Sequence, residues 1–448
     1  MLAGQTQALR AQVPGEPKPQ INVIRDAEIE ELMRDYMRPI QRAAGLSSQK
    51  VEVVLIGDRN FNAFVADGRR IFVNIGALYD SVTPNQIIGV LAHESGHIAG
   101  GHLARIREQI ALSQTAAILA MLLAAGAVAA TAATSRGQDI GPAGAALLLP
   151  QQVLMRSMLS YVRSQEEAAD RAAVKFLDAT GQSSKGMLET FQRFASDSLF
   201  ISRSVDPYMF SHPMPRERIS QLEHIARASP YFDKKDPPQL QFRHDMMRAK
   251  LSGFTDRPDQ VLRRYPPSNN TLPARYARAI ATYRHGNINS AVAQINALIA
   301  EHPKNPYFHE LKGQALLESA RVRDSIPPLQ QAVALSNGAP LIRMLLGQAL
   351  VATGDASVLE DAIRQLRLAL DREPNAPLGW RQLAIAYGRK GDVANADLAS
   401  ALAYFNDADF RNARALALRA KTRFPTASPG WLKADDIVNF KPPQLTQR

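Results

Sequence analysis

The spacing of apolar residues separates an N-terminal half with mixed periods from a C-terminal half with one recurring period. In "DAEIEELMRDYMRPIQRAAG" (26–45) apolar positions recur every three or four residues behind an acidic first turn, which predicts an amphipathic helix. "VEVVLIGD" (51–58) and "RRIFVNIGAL" (69–78) are rich in β-branched residues and flank the turn-forming "ADGR", so both are expected as strands. A helix should start at "TPNQIIGVL", with Thr83 as N-cap and Pro84 at the first helical position. "SYVRSQEEAADRAAVKFLDATG" (160–181) returns to helical spacing and closes on Gly181. Residues 1–20 are rich in Pro and Gln and are expected to be disordered.

The second half repeats. "AIATYRHG" (279–286), "GQALLESA" (313–320) and "GQALVATG" (347–354) start 34 residues apart, and "AIAYGRKG" (384–391) follows after 37. Each unit places small residues where two helices must approach, and Pro303, Pro374 and Pro425 stand where second helices should end. This period resembles the tetratricopeptide repeat. "ALAYFNDA" (401–408) comes too soon for a full unit and reads as part of a cap.

Between Gln109 and Ser135 the chain carries no charge, and "AAILAMLLAAGAVAATAAT" (116–134) is long enough to cross a bilayer. A crossing would strand the two halves of the chain on opposite sides. The next apolar stretch, 140–158, is interrupted by Pro142, Pro150, Gln151, Gln152 and Arg156. The segment 109–155 is therefore expected to stay on one side, packed on the protein or resting on a membrane surface.

Composition changes this picture little. The 448 residues allow two or three domains, and 46% hydrophobic content is ordinary for a globular chain. The net charge of +11 is spread without a long basic run, which favours a solvated surface over a nucleic-acid site. With no cysteine, any metal must be held by His, Asp or Glu. The first residues lack the basic start and apolar core of a signal peptide.

The candidate chemistry lies in "LAHESGHIAGGHLAR" (91–105). His93 and His97, four apart, share a helix face and can reach one ion, with Glu94 beside them where a base is needed to activate water. A third ligand on the same helix would follow H-E-x-x-H-x-x-G-x-x-H; Gly100 fits, but the last position is Leu103. His102 falls one residue short, so it is expected as a hydrogen-bonded histidine on the helix surface. The alternative is a carboxylate from the 160–181 helix. There Glu166 can ligate while Asp170, one turn on, accepts a hydrogen bond from a ligand imidazole. Glu167 should face solvent. By spacing alone, this pair is equally an ordinary acidic stripe.

Taken in order, "HESGHIAGGH", "RSQEEAAD" and "SHPMPRERI" (211–219) resemble three signatures of the zinc metallopeptidase family of the CAAX prenyl protease and HtpX type. The branch resembled joins the catalytic domain to C-terminal tetratricopeptide repeats. The resemblance implies an α+β, mostly helical fold: a zincin-type domain with a small sheet over 21–255, an α-solenoid over 256–440 and a tail at 441–448. It implies one Zn2+ held by His93, His97 and Glu166, with Glu94 as base and Asp170 supporting the ligands. Val162 stands where the family often has Ser. His212 and Arg218 lie in the family's third signature. His212 is expected either to stabilise the transition state or to hold the site latent on the metal, and Arg218 to act in the site or to anchor its loop. The implied function is endoproteolysis of misfolded or stalled envelope proteins in the periplasm. The repeats would dock substrates or the outer-membrane β-barrel assembly machinery, and 109–155 would make peripheral membrane contact. The rival class is a chaperone or adaptor in which the repeats dominate.

Overall fold

The computed structural model describes residues 22–106, 108, 161–200, 212 and 216–442. The expected disorder of 1–20, the insertion at 109–155 and most of the 441–448 tail lie outside these residues. Among the described residues, no helix is long and apolar enough to cross a membrane.

Contacts divide the chain into two compact units. The first comprises Tyr36–Lys235 with the residues up to Ile24, and the second Arg25–Asp35 with Asp236–Arg448. The division at 235/236 precedes the expected boundary at 255. Helix Pro238–Thr255 packs against Leu272–His285, the first helix of the repeats, and so belongs with them.

In the first unit, strands β1 (Val23–Ile24), β2 (Glu52–Ile56), β3 (Ala63–Asp67) and β4 (Arg70–Asn74) form one sheet in the order β1-β2-β4-β3. β2 runs parallel to β4, and β3 pairs antiparallel with it across the expected turn. The turn is fixed by Asp67, whose side chain accepts from the backbone N–H groups of Arg69 (3.0 Å) and Arg70 (2.9 Å). The "ADGR" turn thus joins β3 to β4, and β2 is not its partner strand. The strand expected to reach residue 78 stops at Asn74, where helix α2 (Ile75–Asp80) begins.

Helix α1 (Ala27–Ala43) follows β1, and its residues up to Asp35, with Arg25 and Asp26 before it, belong to the second unit. Helix α3 (Pro84–Ala99) is buried at every residue from Pro84 to Gly96, as a helix enclosed on all sides must be. Thr83 occupies its N-cap and Pro84 its first position, but the Thr83 side chain makes no capping hydrogen bond. Helix α4 covers residues 161–179 and ends at Gly181, φ +64°, with Gln182 N–H on the Leu177 carbonyl at 2.8 Å. Helices α5 (Lys185–Phe200) and α6 (Arg216–Arg227) complete the unit. Gly96 sets the approach of α3 to α4. A Cβ there would stand 2.9 Å from the Ala169 carbonyl oxygen, so only glycine lets the two helices lie this close.

The second unit is a helical solenoid. Its first helices start at Leu272, Pro306, Pro340 and Pro377, reproducing the spacings of 34, 34 and 37. The three extra residues form a short 3₁₀ turn, Ala356–Val358, inside the third hairpin. The small residues act as expected: a Cβ on Gly313 would meet Leu329, and one on Gly347 would meet Leu366, both in the partner helix. Pro303 and Pro374 follow second helices, whereas Pro425 follows Phe410–Arg423, the first helix of the last pair. "ALAYFNDA" is the end of helix Val393–Asn406 and the turn after it, and no separate unit starts there.

Candidate metal centre

Three helices and one further histidine supply the site, all in the first unit. α3 presents His93, Glu94 and His97; α4 presents Glu166 and Asp170; His212 and, from α6, Arg218 complete it. The donor atoms of His93, His97, Glu166 and His212 lie within 4.8 Å of one another. His93 Nε2 is 3.0 Å from His97 Nε2 and 3.3 Å from His212 Nδ1. Glu166 Oε2 is 3.4 Å from His93 Nε2 and 3.0 Å from His212 Nδ1, and Oε1 is 3.3 Å from His97 Nε2. Imidazole nitrogens this close, with a carboxylate between them, present their lone pairs to one point. A tetrahedral ion bound at ~2.0–2.1 Å separates its ligands by ~3.3 Å, which matches these spacings. The donor set, two helix histidines four apart and a carboxylate with a further imidazole, therefore fits Zn2+ by type and by spacing.

Asp170 and Arg218 surround the donor cluster. Asp170 Oδ1 lies 2.9 Å from His93 Nδ1, a contact whose angle is poorer than its length. Arg218 is almost fully buried and forks onto Asp170 through Nε (2.6 Å) and Nη2 (2.8 Å), while Nη1 reaches Glu166 Oε2 at 2.8 Å. Its guanidinium carbon also sits 5.4 Å from the centre of the Phe191 ring. Arg218 thus clamps the two acidic residues of α4 in position. Glu167, 100° around the helix, turns aside and pairs with Arg171 at 3.7 Å.

Electrostatics divide the carboxylates into two kinds. Burial alone would raise Glu166, but His212, His93 and His97 hold it well below the ordinary range. Asp170 is likewise buried, and Arg218 and His93 keep it low. Glu94 is pushed the other way by burial, against the pull of His212 and His93. Its two oxygens are buried without a hydrogen bond among the described residues, with His212 Nε2 3.3 Å from Oε1. A desolvated carboxylate beside the donor cluster is suited to take a proton. Burial lowers His97 to about 4, whereas for His93 the bonds to Asp170 and Glu166 overcome burial and raise it to about 9.

His102 departs from expectation. It is 3% exposed and does not face solvent, and its Nδ1 lies 3.0 Å from His97 Nδ1. The helix stops at Gly100 and Gly101 turns with φ +62°, so His102 folds back behind His97. Sequence spacing missed this because it extended α3 through two glycines that end it. β4 is hydrogen-bonded on both sides, by β2 and β3, so the edge nearest α3 is β3.

Comparison with known proteins agrees with the geometry. The family model described as Peptidase family M48 matches residues 24–226, the stretch that holds every residue of the cluster. These residues resemble a family M48 peptidase domain. The similarity extends past it. The chain is 24% identical over 354 residues to the beta-barrel assembly-enhancing protease of Yersinia pestis, covering 75% of this chain and 68% of that protein. It is 25% identical over 386 residues to the putative beta-barrel assembly-enhancing protease of Vibrio cholerae, covering 84% and 76%. The metalloprotease LoiP of Escherichia coli is 28% identical over 178 residues, 40% of this chain and 63% of LoiP.

Proposed function

We propose that this chain is a zinc endopeptidase of envelope protein quality control, with His93, His97 and Glu166 as ligands and Glu94 as general base. The observation that carries the reading is the convergence of three imidazoles and one ionised carboxylate on one buried point, beside a second carboxylate without a hydrogen bond. Zinc held there would supply a Lewis acid that lowers the pKa of water and polarises the scissile carbonyl. Glu94 accepts the proton from the attacking water and returns it to the leaving amine. Asp170 and Arg218 hold the ligand helix in register, and Phe191 packs against both His93 and Arg218. An extended substrate pairs along the edge of β3, which no strand covers among the described residues, gaining main-chain hydrogen bonds without sequence selection, which suits misfolded chains.

His212 sits within the donor set, and this supports a latent resting form in which its imidazole takes the remaining ligand position. The names of the relatives, proteases that enhance β-barrel assembly, support substrates among stalled or misassembled β-barrel proteins of the envelope; with this reading go a periplasmic location and docking of the repeats on the barrel assembly machinery. A chaperone or adaptor role of the repeats is the second reading, favoured by the same placement of His212. The metal assignment is tested by zinc analysis of the purified chain. One zinc per chain, lost in Glu166→Gln, is expected; full retention by that variant would refute the ligand set.

A further inference from the structure

Behind His97, on the side away from the donor cluster, the two imidazoles of His97 and His102 meet edge to face, with ring centroids 5.0 Å apart and planes at 85°. Their Nδ1 atoms are 3.0 Å apart. A histidine that ligates through Nε2 carries its proton on Nδ1, so His97 Nδ1–H is a donor that needs an acceptor at this distance. In the same unit His93 uses the Asp170 carboxylate for the corresponding role. We infer that His102 is a positioning residue, accepting on Nδ1 the hydrogen bond of His97 Nδ1–H and so fixing the tautomer and ring rotation that aim His97 Nε2 at the metal. The inference rests on the metal reading above. It also assigns the tautomer of His102, whose proton must lie on Nε2.

The backbone is built for this contact. Had α3 continued, residue 102 would lie ~140° around the axis from His97, out of reach of its Nδ1. Instead Gly101 adopts φ +62°, its N–H closing on the Ile98 carbonyl at 3.0 Å, and a new helical turn begins at residue 102. The His102 ring then lies across Gly100. A Cβ at that position would fall 2.2 Å from His102 Nε2 and 2.5 Å from its Cδ2. Gly100 itself has φ −73° and ψ −12°, which any residue adopts. Its lack of a side chain therefore serves space and not backbone freedom, and the space is occupied by His102.

Three variants of the full-length chain test the inference, with zinc affinity measured by competition against a chromophoric chelator and thermal unfolding of the metal-free protein measured alongside. His102→Ala should weaken zinc binding by ~10–100-fold, as loss of a partner that orients a ligand does. His102→Asn, whose Oδ1 takes the place of Nδ1, should stay close to wild type. Gly100→Ala should weaken binding as His102→Ala does, by displacing the ring while leaving every ligand and His102 itself unchanged. Wild-type affinity in His102→Ala, or equal loss in the Ala and Asn variants, would overturn the inference. If His102→Ala does not fold without metal, unchanged affinity in Gly100→Ala overturns it instead. Wild-type protein that binds no zinc would overturn the metal reading itself, a distinct outcome.

Discussion

Replacing Arg218 by methionine keeps the length and apolar bulk of the side chain but deletes two charge-assisted hydrogen bonds to Asp170, of 2.6 and 2.8 Å, and a 2.8 Å ion pair with Glu166. Both carboxylates are buried, so the variant leaves negative charge in a low-dielectric interior without its main partner. Breaking a buried pair from one side costs about 3–5 kcal/mol. For a unit of this size, each kcal/mol lowers the midpoint by about 2–4 °C, which places the fall at roughly 6–20 °C in the metal-free protein. If zinc binds the folded site alone, as proposed, a thousandfold excess over its dissociation constant should return about 4 kcal/mol and recover much of the loss. The difference from wild type should also narrow in acid. Arg218 and His93 depress Asp170 below its ordinary 3.8, so that contribution is complete above this value and fades as pH falls through the native pKa. Calorimetry of both proteins, with and without zinc, measures each quantity. If Arg218 instead served the transition state, cleavage would fall while midpoint and zinc affinity stayed at wild type. That result would refute the clamp.

His212→Ala should raise basal cleavage of an unfolded protein substrate with zinc content unchanged, because it removes the fourth donor; a fall of ~10–1,000-fold would instead mark a lost transition-state donor. In the second unit, Lys250 faces three acids, the buried Glu28 at 3.2 Å and the half-buried Asp26 at 2.7 Å and Glu310 at 4.0 Å. Burial lifts Glu310 to about 8, against Lys250 and with help from Asp26 and Glu28. Between its ordinary 4.5 and about 8 the folded chain holds a proton that the unfolded chain has released, so stability should fall as pH rises across this window. Glu310→Gln should flatten that slope, read as hydrogen exchange of the amides in helix Pro306–Glu318; an unchanged slope would discount Glu310.

The parts legible in the sequence were those fixed by a helical period. His93 and His97, and Glu166 and Asp170, stand one turn apart on helices that α3 and α4 realise, and the 34-residue repeat returned the solenoid with its longer third hairpin. What the periods did not carry was decided by single backbone events and by tertiary pairing. His102 was misplaced because Gly101 reverses the chain at a positive φ that spacing does not encode. β3 went unseen because "AFVAD" is five residues with two alanines and a terminal aspartate, a weak strand pattern held by its hairpin with β4. Arg218 was placed in the site, but its role as a clamp needed the fork onto Asp170, which joins residues 48 apart.

On the proposed reading Glu94 performs the proton transfer and holds no metal. The direct measurement is cleavage of an unfolded outer-membrane protein by wild type and Glu94→Gln, paired with zinc content and midpoint of the same samples. Glu94 is 1% exposed, and its oxygens make no hydrogen bond among the described residues, so a neutral amide of the same shape should be accepted without unfolding. One zinc per chain, a near-wild-type midpoint and no detectable cleavage is the predicted result. Cleavage by Glu94→Gln at a rate comparable to wild type would contradict it.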